Sequence, residues 1–205
     1  MISTTTGKAT PGRPRGFDRD VALDRAIRLF WRKGYETTSM RDLSEELGIG
    51  QPSLYNAFGN KRTLFDEVLK AYELKYGEFI DTALNEETTA VLAMQRILAE
   101  APARYTRRGL PRGCLVASGD AGSDNLEVRA MMSRIRENKT TRLRHKLESD
   151  ITAGNLADGL DAAGLAGYVM SVLSGLAQRA CDGATPKEIA NIANIAAKAL
   201  PETMS

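Results

Sequence analysis

Four hydrogen-bonding side chains, Gln51, Ser53, Tyr55 and Asn56, fall between positions 51 and 56, and two cations, Lys61 and Arg62, follow them. Amides and hydroxyls at this density suit readout of base edges, which present donor and acceptor patterns in a DNA major groove. Lysine and arginine suit phosphate oxygens. Arg41, a little upstream, offers either a planar fork for guanine O6 and N7 or an i,i+4 partner for Glu45. Tyr55 is also compatible with core-edge packing. A second chemistry is nucleophilic. In "PRGCLVA", residues 111–117, a cap at Gly113 would set Cys114 in the first turn of a short helix. The helix dipole there favours thiolate, and Arg108 and Arg112 would add positive potential. A thiolate is what oxidants and electrophiles attack. The same residue beside Leu115 and Val116 also reads as a small buried hydrophobe.

Other chemistries find little support. The chain holds one histidine, His145, and two distant cysteines, Cys114 and Cys181. No multi-histidine metal site, zinc spacing or disulfide framework is expected, and Cys181 reads as packing. There is no Gly-rich phosphate loop and no plausible Ser-His-Asp set, so no catalytic residue, metal or cofactor is expected. A helical enzyme is a remote alternative. Charge is uneven: residues 1–62 hold eleven Lys and Arg against seven Asp and Glu, net +4, and the remainder holds seventeen against nineteen, net −2. A basic N-terminal module points weakly to nucleic acid. No run approaches about 18 apolar residues, so no membrane span is expected. Residues 1–16 lack the apolar run of a secretory signal, which makes a cytoplasmic location the expectation.

The elements that must position these residues follow from periodicity. Residues 1–16 are Ser/Thr/Gly/Pro/basic and read as a flexible arm. Its Arg13 and Arg15 could enter a minor groove. A first helix over 19–33 carries Val21, Ala22, Ala26, Leu29 and Phe30 on one stripe, with Asp18 as cap; Trp31 beside Phe30 reads as core or core edge. A second, over 39–47, opens on a capping box of Ser39 and Asp42. Gly48-Ile49-Gly50 makes a tight turn, and a third helix runs over 51–58. Pro52 is tolerated in its first turn, and Leu54 and Phe58, at i and i+4, anchor it. Two short helices joined by a glycine turn are a helix-turn-helix. The spacing then predicts helices over 60–84, 89–105, 125–153, 161–181 and 185–200, with a short segment from Cys114. The basic run Arg134, Arg136, Lys139, Arg142, Arg144 and Lys146 reads as a solvated helix face. The whole is all-α, with about nine helices and no strand alternation.

With that motif placed, "AIRLFWRKGYETTSMRDLSEELGIGQPSLYNAFGNKRTLFDEVL", residues 26–69 of 205, resembles the DNA-binding domain of TetR-family transcriptional regulators. Phe30, the Gly34-Tyr35 pair, Leu54-Tyr55 with Phe58, and Asn60-Lys61 carry the match. The resemblance implies a homodimeric regulator, usually a repressor, released from an operator by a small molecule. It implies that Lys61 and Tyr55 hold phosphates, that Gln51 and Ser53 lie near bases or phosphates, and that Arg41 stands where some members read guanine; Asn56 could read adenine or touch phosphate. Ala57 departs from the larger polar residue many members carry, so operator specificity does not transfer. Gly50 replaces a common Ser cap, which glycine tolerates. The stretch around Cys114 also looks like one found in a subset of these regulators, some of which sense electrophiles through cysteine. The domains expected are an arm over 1–16, a helix-turn-helix domain over 17–62 and a helical ligand-binding and dimerisation domain over 63–205. Dimerisation is expected through 161–181 and 186–200. Candidate effector-pocket residues are Tyr76, Phe79, Met94, Leu98, Tyr105, Met131 and Tyr168. The alternative is a helix-turn-helix protein that binds DNA without small-molecule control.

Overall fold

A computed structural model describes residues 17–118 and 123–202. Arg13 and Arg15 lie outside the described residues. The described residues form ten helices: α1 (Arg19–Lys33), α2 (Met40–Leu47), α3 (Gln51–Phe58), α4 (Lys61–Lys75), α5 (Glu78–Glu86), α6 (Ala90–Tyr105), α7 (Leu115–Ser118), α8 (Leu126–Thr152), α9 (Ala162–Cys181) and α10 (Pro186–Ala197). Their starts are written in the sequence as caps. Asp18, Ser39, Asn60, Thr89, Asn125, Asp161 and Thr185 each accept a first-turn backbone N–H with a side-chain oxygen, satisfying donors that have no intrahelical partner.

The single helix expected over 60–84 is two helices. α4 ends at Lys75, and α5 restarts at Glu78. The Tyr76 and Gly77 amides both donate to the Tyr72 carbonyl, at 2.8 and 3.0 Å, which closes the helix. A Cβ on Gly77 would lie 2.7 Å from the Glu73 carboxylate and 3.3 Å from the Glu73 Cα, so a larger residue there would displace the Glu73 side chain. Buried residues keep a 3–4 spacing through the junction, from Leu69 and Tyr72 to Phe79, Ile80 and Ala83, which hid the break.

Apolar side chains gather in two clusters. One joins α1–α4 to Leu115, Val116, Val128 and Met132. Phe30, Tyr35 and Phe65 form its aromatic centre, with Phe30 edge-on to Phe65 at 4.9 Å. Trp31 packs edge-on against Tyr72 at 5.1 Å, in the core-edge role expected of it. The other cluster joins α5, α6, α9 and α10 to Leu143 and Leu147 of α8. Thus α4 and the start of α8 belong to the first core and the rest of α8 to the second.

Four of the six basic residues of the α8 run are not solvated, whereas Arg134 is exposed as expected. Lys139 is buried, 2.5 Å from Glu73 of α4, and donates to the Gly77 carbonyl. Arg142 pairs with Asp81 of α5. Arg136 donates to the Val116 carbonyl at 2.8 Å, and Lys146 to the Glu87 carbonyl at 2.7 Å. A helix with few apolar residues is here clamped to its neighbours by charge, and spacing alone does not distinguish that from solvation. His145 is exposed.

Candidate nucleic-acid interface

Ser39 and Asp42 form both bonds of the expected capping box: the Ser39 hydroxyl accepts from the Asp42 N–H at 3.0 Å, and Asp42 accepts from the Ser39 N–H at 2.8 Å. The Ser39 hydroxyl and the Lys33 ammonium, 2.9 Å away, hold the Asp42 carboxyl well below the usual carboxylate range. At the other end of α2, Gly48 turns left-handed with φ 69°, a region that costs an L side chain about 1–2 kcal/mol. The Ser44 hydroxyl donates to the Ile49 carbonyl at 2.6 Å and fixes the turn. Gly50 then opens α3 without a side-chain cap. Leu54 and Phe58 are buried in the first core, so α3 can rotate little about its axis.

That anchoring turns Gln51, Ser53, Tyr55 and Asn56 outward together. Tyr55 is 49% exposed, so the core-edge alternative does not describe it. Ala57 packs against the core instead of facing out with them. Arg41 makes the i,i+4 pair with Glu45, Nε to Oε1 2.9 Å, on a wide-open surface. Exposed pairs of this kind contribute little, so the pair does not withdraw the guanidinium from other use. The Lys61 ammonium lies 4.1 Å from the centre of the Tyr35 ring and 3.4 Å from the Glu36 carbonyl, which holds it at the start of α4. Arg62 points elsewhere. Its guanidinium pairs with Glu127, and its Nε lies 3.1 Å from the Met131 sulfur, so it ties α4 to α8.

Cys114 sits immediately before α7, partly buried where both cores meet. The Tyr72 hydroxyl donates to its sulfur at 3.3 Å, and the Ala117 N–H at 3.4 Å. The Leu115 N–H in turn donates to the Tyr72 oxygen. Burial, and then the neighbouring sulfur, push the Tyr72 hydroxyl well above its ordinary pKa, so it remains a donor. Arg112, expected to face this thiol, has its hydrogen bonds elsewhere. Its guanidinium donates to the carbonyls of Ala180, at 2.7 Å, and Ala184, closing the end of α9. Cys181, expected to be packed, is exposed and donates to the Arg112 carbonyl.

The candidate pocket residues are dispersed. Phe79, Met94, Leu98 and Tyr105 are buried among the side chains of the second core. Tyr76 belongs to the edge of the first core and donates to Asp24 at 2.7 Å. Tyr168 is exposed on α9, and its hydroxyl reaches the Ala196 carbonyl at 3.3 Å. Met131 alone of the seven borders an apolar recess of about 490 Å³ between α4 and α8, with Leu69, Leu74 and Ile135. Spacing marks a side chain as inward but cannot say whether inward means filled or hollow. No helix of the described residues is long and apolar enough to cross a membrane.

Comparison with known proteins agrees with this geometry. A family model described as bacterial regulatory proteins, tetR family, matches residues 22–68. The HTH-type transcriptional repressor ComR of Escherichia coli (strain K12) is 31% identical across 98% of this chain and 97% of its own length. The HTH-type transcriptional repressor BdcR of the same strain is 37% identical across 53% of this chain and 55% of its own. Among solved structures, a cysteine-substituted form of the TetR family transcriptional regulator CifR, complexed with 26-bp double-strand operator DNA, superposes with a TM-score of 0.86. It is 36% identical and covers 93% of this chain and 100% of that one.

Proposed function

This chain belongs to the TetR family of bacterial regulatory proteins, and from that premise we propose that it is a homodimeric repressor of a two-fold operator, released by a small molecule or a thiol-reactive compound. The observation that carries the reading is the outward face of α3. Four hydrogen-bonding side chains share it, two buried anchors fix its rotation, and a glycine leaves its first-turn amides without a side-chain cap. Such a face fits a major groove, with base edges for Gln51, Ser53 and Asn56 and phosphates for Tyr55, Lys61 and the first-turn amides. Arg41 reaches the same groove from α2 once it leaves Glu45. Residues 17–62 bind DNA, and residues 63–205 dimerise and take the effector.

Dimerisation is supported by what α9 and α10 leave uncovered. Their inward residues fill the second core, yet Tyr168, Ile192 and Ile195 remain exposed on the other side, Ile195 at 69%. Two half-sites one DNA turn apart require a two-fold partner. ComR and BdcR are described as repressors, and the CifR structure holds operator DNA; these support the sign of regulation and the ligand of α3. Cys114 is the proposed target of electrophiles, since its thiol is only partly buried and lies where both cores meet, with the Tyr72 hydroxyl and the Ala117 N–H at its sulfur.

The test is titration of duplex DNA from the upstream region at several salt concentrations, with wild type and Cys114→Ser, with and without a mild electrophile. An inverted-repeat footprint that weakens as salt rises is expected, with the electrophile releasing wild type and not Cys114→Ser. Equal release of both would remove Cys114 from the mechanism. Absence of sequence-preferring binding, to this DNA or a wider fragment pool, would overturn the repressor reading.

A further inference from the structure

The recess between α4 and α8 joins an apolar floor to one unmatched charge. Leu69, Leu74, Met131 and Ile135 line it, and Leu74 is 82% exposed, an unusual position for leucine with no apolar cover. Its volume, about 490 Å³, lies within the range of small-molecule sites. The charges around it are matched in pairs. Asp66 holds Lys70 at 2.6 Å, Glu73 holds Lys139 at 2.5 Å, and Asp81 holds Arg142. Arg134 borders this recess and the adjoining one toward Lys139, and among the described residues it makes no ion pair or hydrogen bond. The local balance is therefore one positive charge beside an apolar surface.

We propose that this recess binds an amphipathic monocarboxylate, with its apolar part on Leu69, Leu74, Met131 and Ile135 and its carboxylate on Arg134. The guanidinium fork matches a carboxylate in two parallel hydrogen bonds. A cationic head would meet Arg134 unfavourably, and a neutral one would leave its charge unused. The site touches the DNA-binding end through Met131, whose sulfur also contacts Arg62, the neighbour of Lys61 at the start of α4. An occupant that shifts Met131 therefore acts on the helix that carries the helix-turn-helix.

The biological use of the site rests on the ligand-responsive reading, but binding is measured without DNA, so failure of the site and failure of that reading are distinguishable. Calorimetric titration of the full chain with octanoate, octan-1-ol and octylammonium compares heads on one tail. Octanoate is expected to bind at least tenfold more tightly than octan-1-ol, and octylammonium more weakly still. Arg134→Gln, at an exposed position, should bring octanoate down to the level of octan-1-ol. Ile135→Trp, which fills the recess, should abolish binding of both. Leu74→Trp serves as a second filler should Ile135→Trp lower the melting temperature. No octanoate binding, equal affinity for alcohol and carboxylate, or octanoate binding that survives both fillers would overturn the proposal. So would a filler that changed the sedimentation coefficient, which would make the recess a contact between protein chains.

Discussion

At the scale of single residues, α3 separates two kinds of work cleanly. Leu54 is fully buried and serves rotation and depth of the helix, whereas Asn56 and Gln51 are exposed and serve nothing inside the chain. Leu54→Ala should lower stability by about 2–5 kcal/mol through the cavity it leaves, read by thermal unfolding. Asn56→Ala should leave the melting temperature nearly unchanged and weaken operator binding by about 1–3 kcal/mol with relaxed base preference at one position. Lys61→Ala should weaken binding to all sequences alike and reduce the salt slope by about one. If Lys61→Ala altered base preference and left the salt slope alone, the phosphate role would be wrong. Its docking on Tyr35 leaves one further consequence: Tyr35→Leu should reproduce part of the Lys61→Ala effect.

At the scale of elements, the turn and the caps decide where helices begin. Gly48 has open space where a Cβ would stand, so Gly48→Ala meets no clash. Its cost is the left-handed backbone alone, about 1–2 kcal/mol, and Gly48→Asn should recover part of it, both read by denaturant unfolding. The capping boxes carry a pH dependence. Hydrogen bonds from the Ser39 hydroxyl, the Lys33 ammonium and the Ser39 N–H lower Asp42, and those from the Thr185 N–H and hydroxyl lower Glu188. A carboxyl whose folded pKa lies below its unfolded value stabilises above that unfolded value and ceases to as pH falls through the folded one. The melting temperature should therefore fall as pH drops below about 4, the ordinary range of free carboxyls. Paired Asp42→Asn and Glu188→Gln substitutions should lower the neutral-pH value and flatten this slope; an unchanged slope would mean other carboxyls dominate.

At the scale of the whole molecule, two cores meet along α4 and α8, held by the Glu73–Lys139 pair and by Arg62 on Glu127 and Met131. This seam is the physical route by which the helical body could bias the orientation of α3. The exposed side of α9 and α10 is the proposed dimer face. Ile195→Glu places a charge on it at a position that contributes nothing to the chain's own core. It should leave folding intact, yield a monomer by analytical ultracentrifugation, and cut operator affinity at least tenfold, because two half-sites are read jointly. A dimer with unchanged affinity would move the interface elsewhere.

The helix-turn-helix was legible in the chain because its signals are local. Caps, a glycine turn and an i,i+4 anchor pair act within a few residues, and their spacing implies which side chains of α3 face out. The family resemblance lay in the same segment for the same reason. What depended on distant partners was not legible. Arg112 and Arg62 were close in sequence to the features expected to use them, yet their guanidinium groups found carbonyls and a carboxylate many residues away. Arg136, Lys139, Arg142 and Lys146 of α8 became clamps because acidic groups and carbonyls of α4, α5 and the loops arrive opposite them. The filled interior around Met94 and Leu98 likewise follows from how helices crowd one another. Periodicity records which side of a helix is inward, and only tertiary packing decides what meets it there.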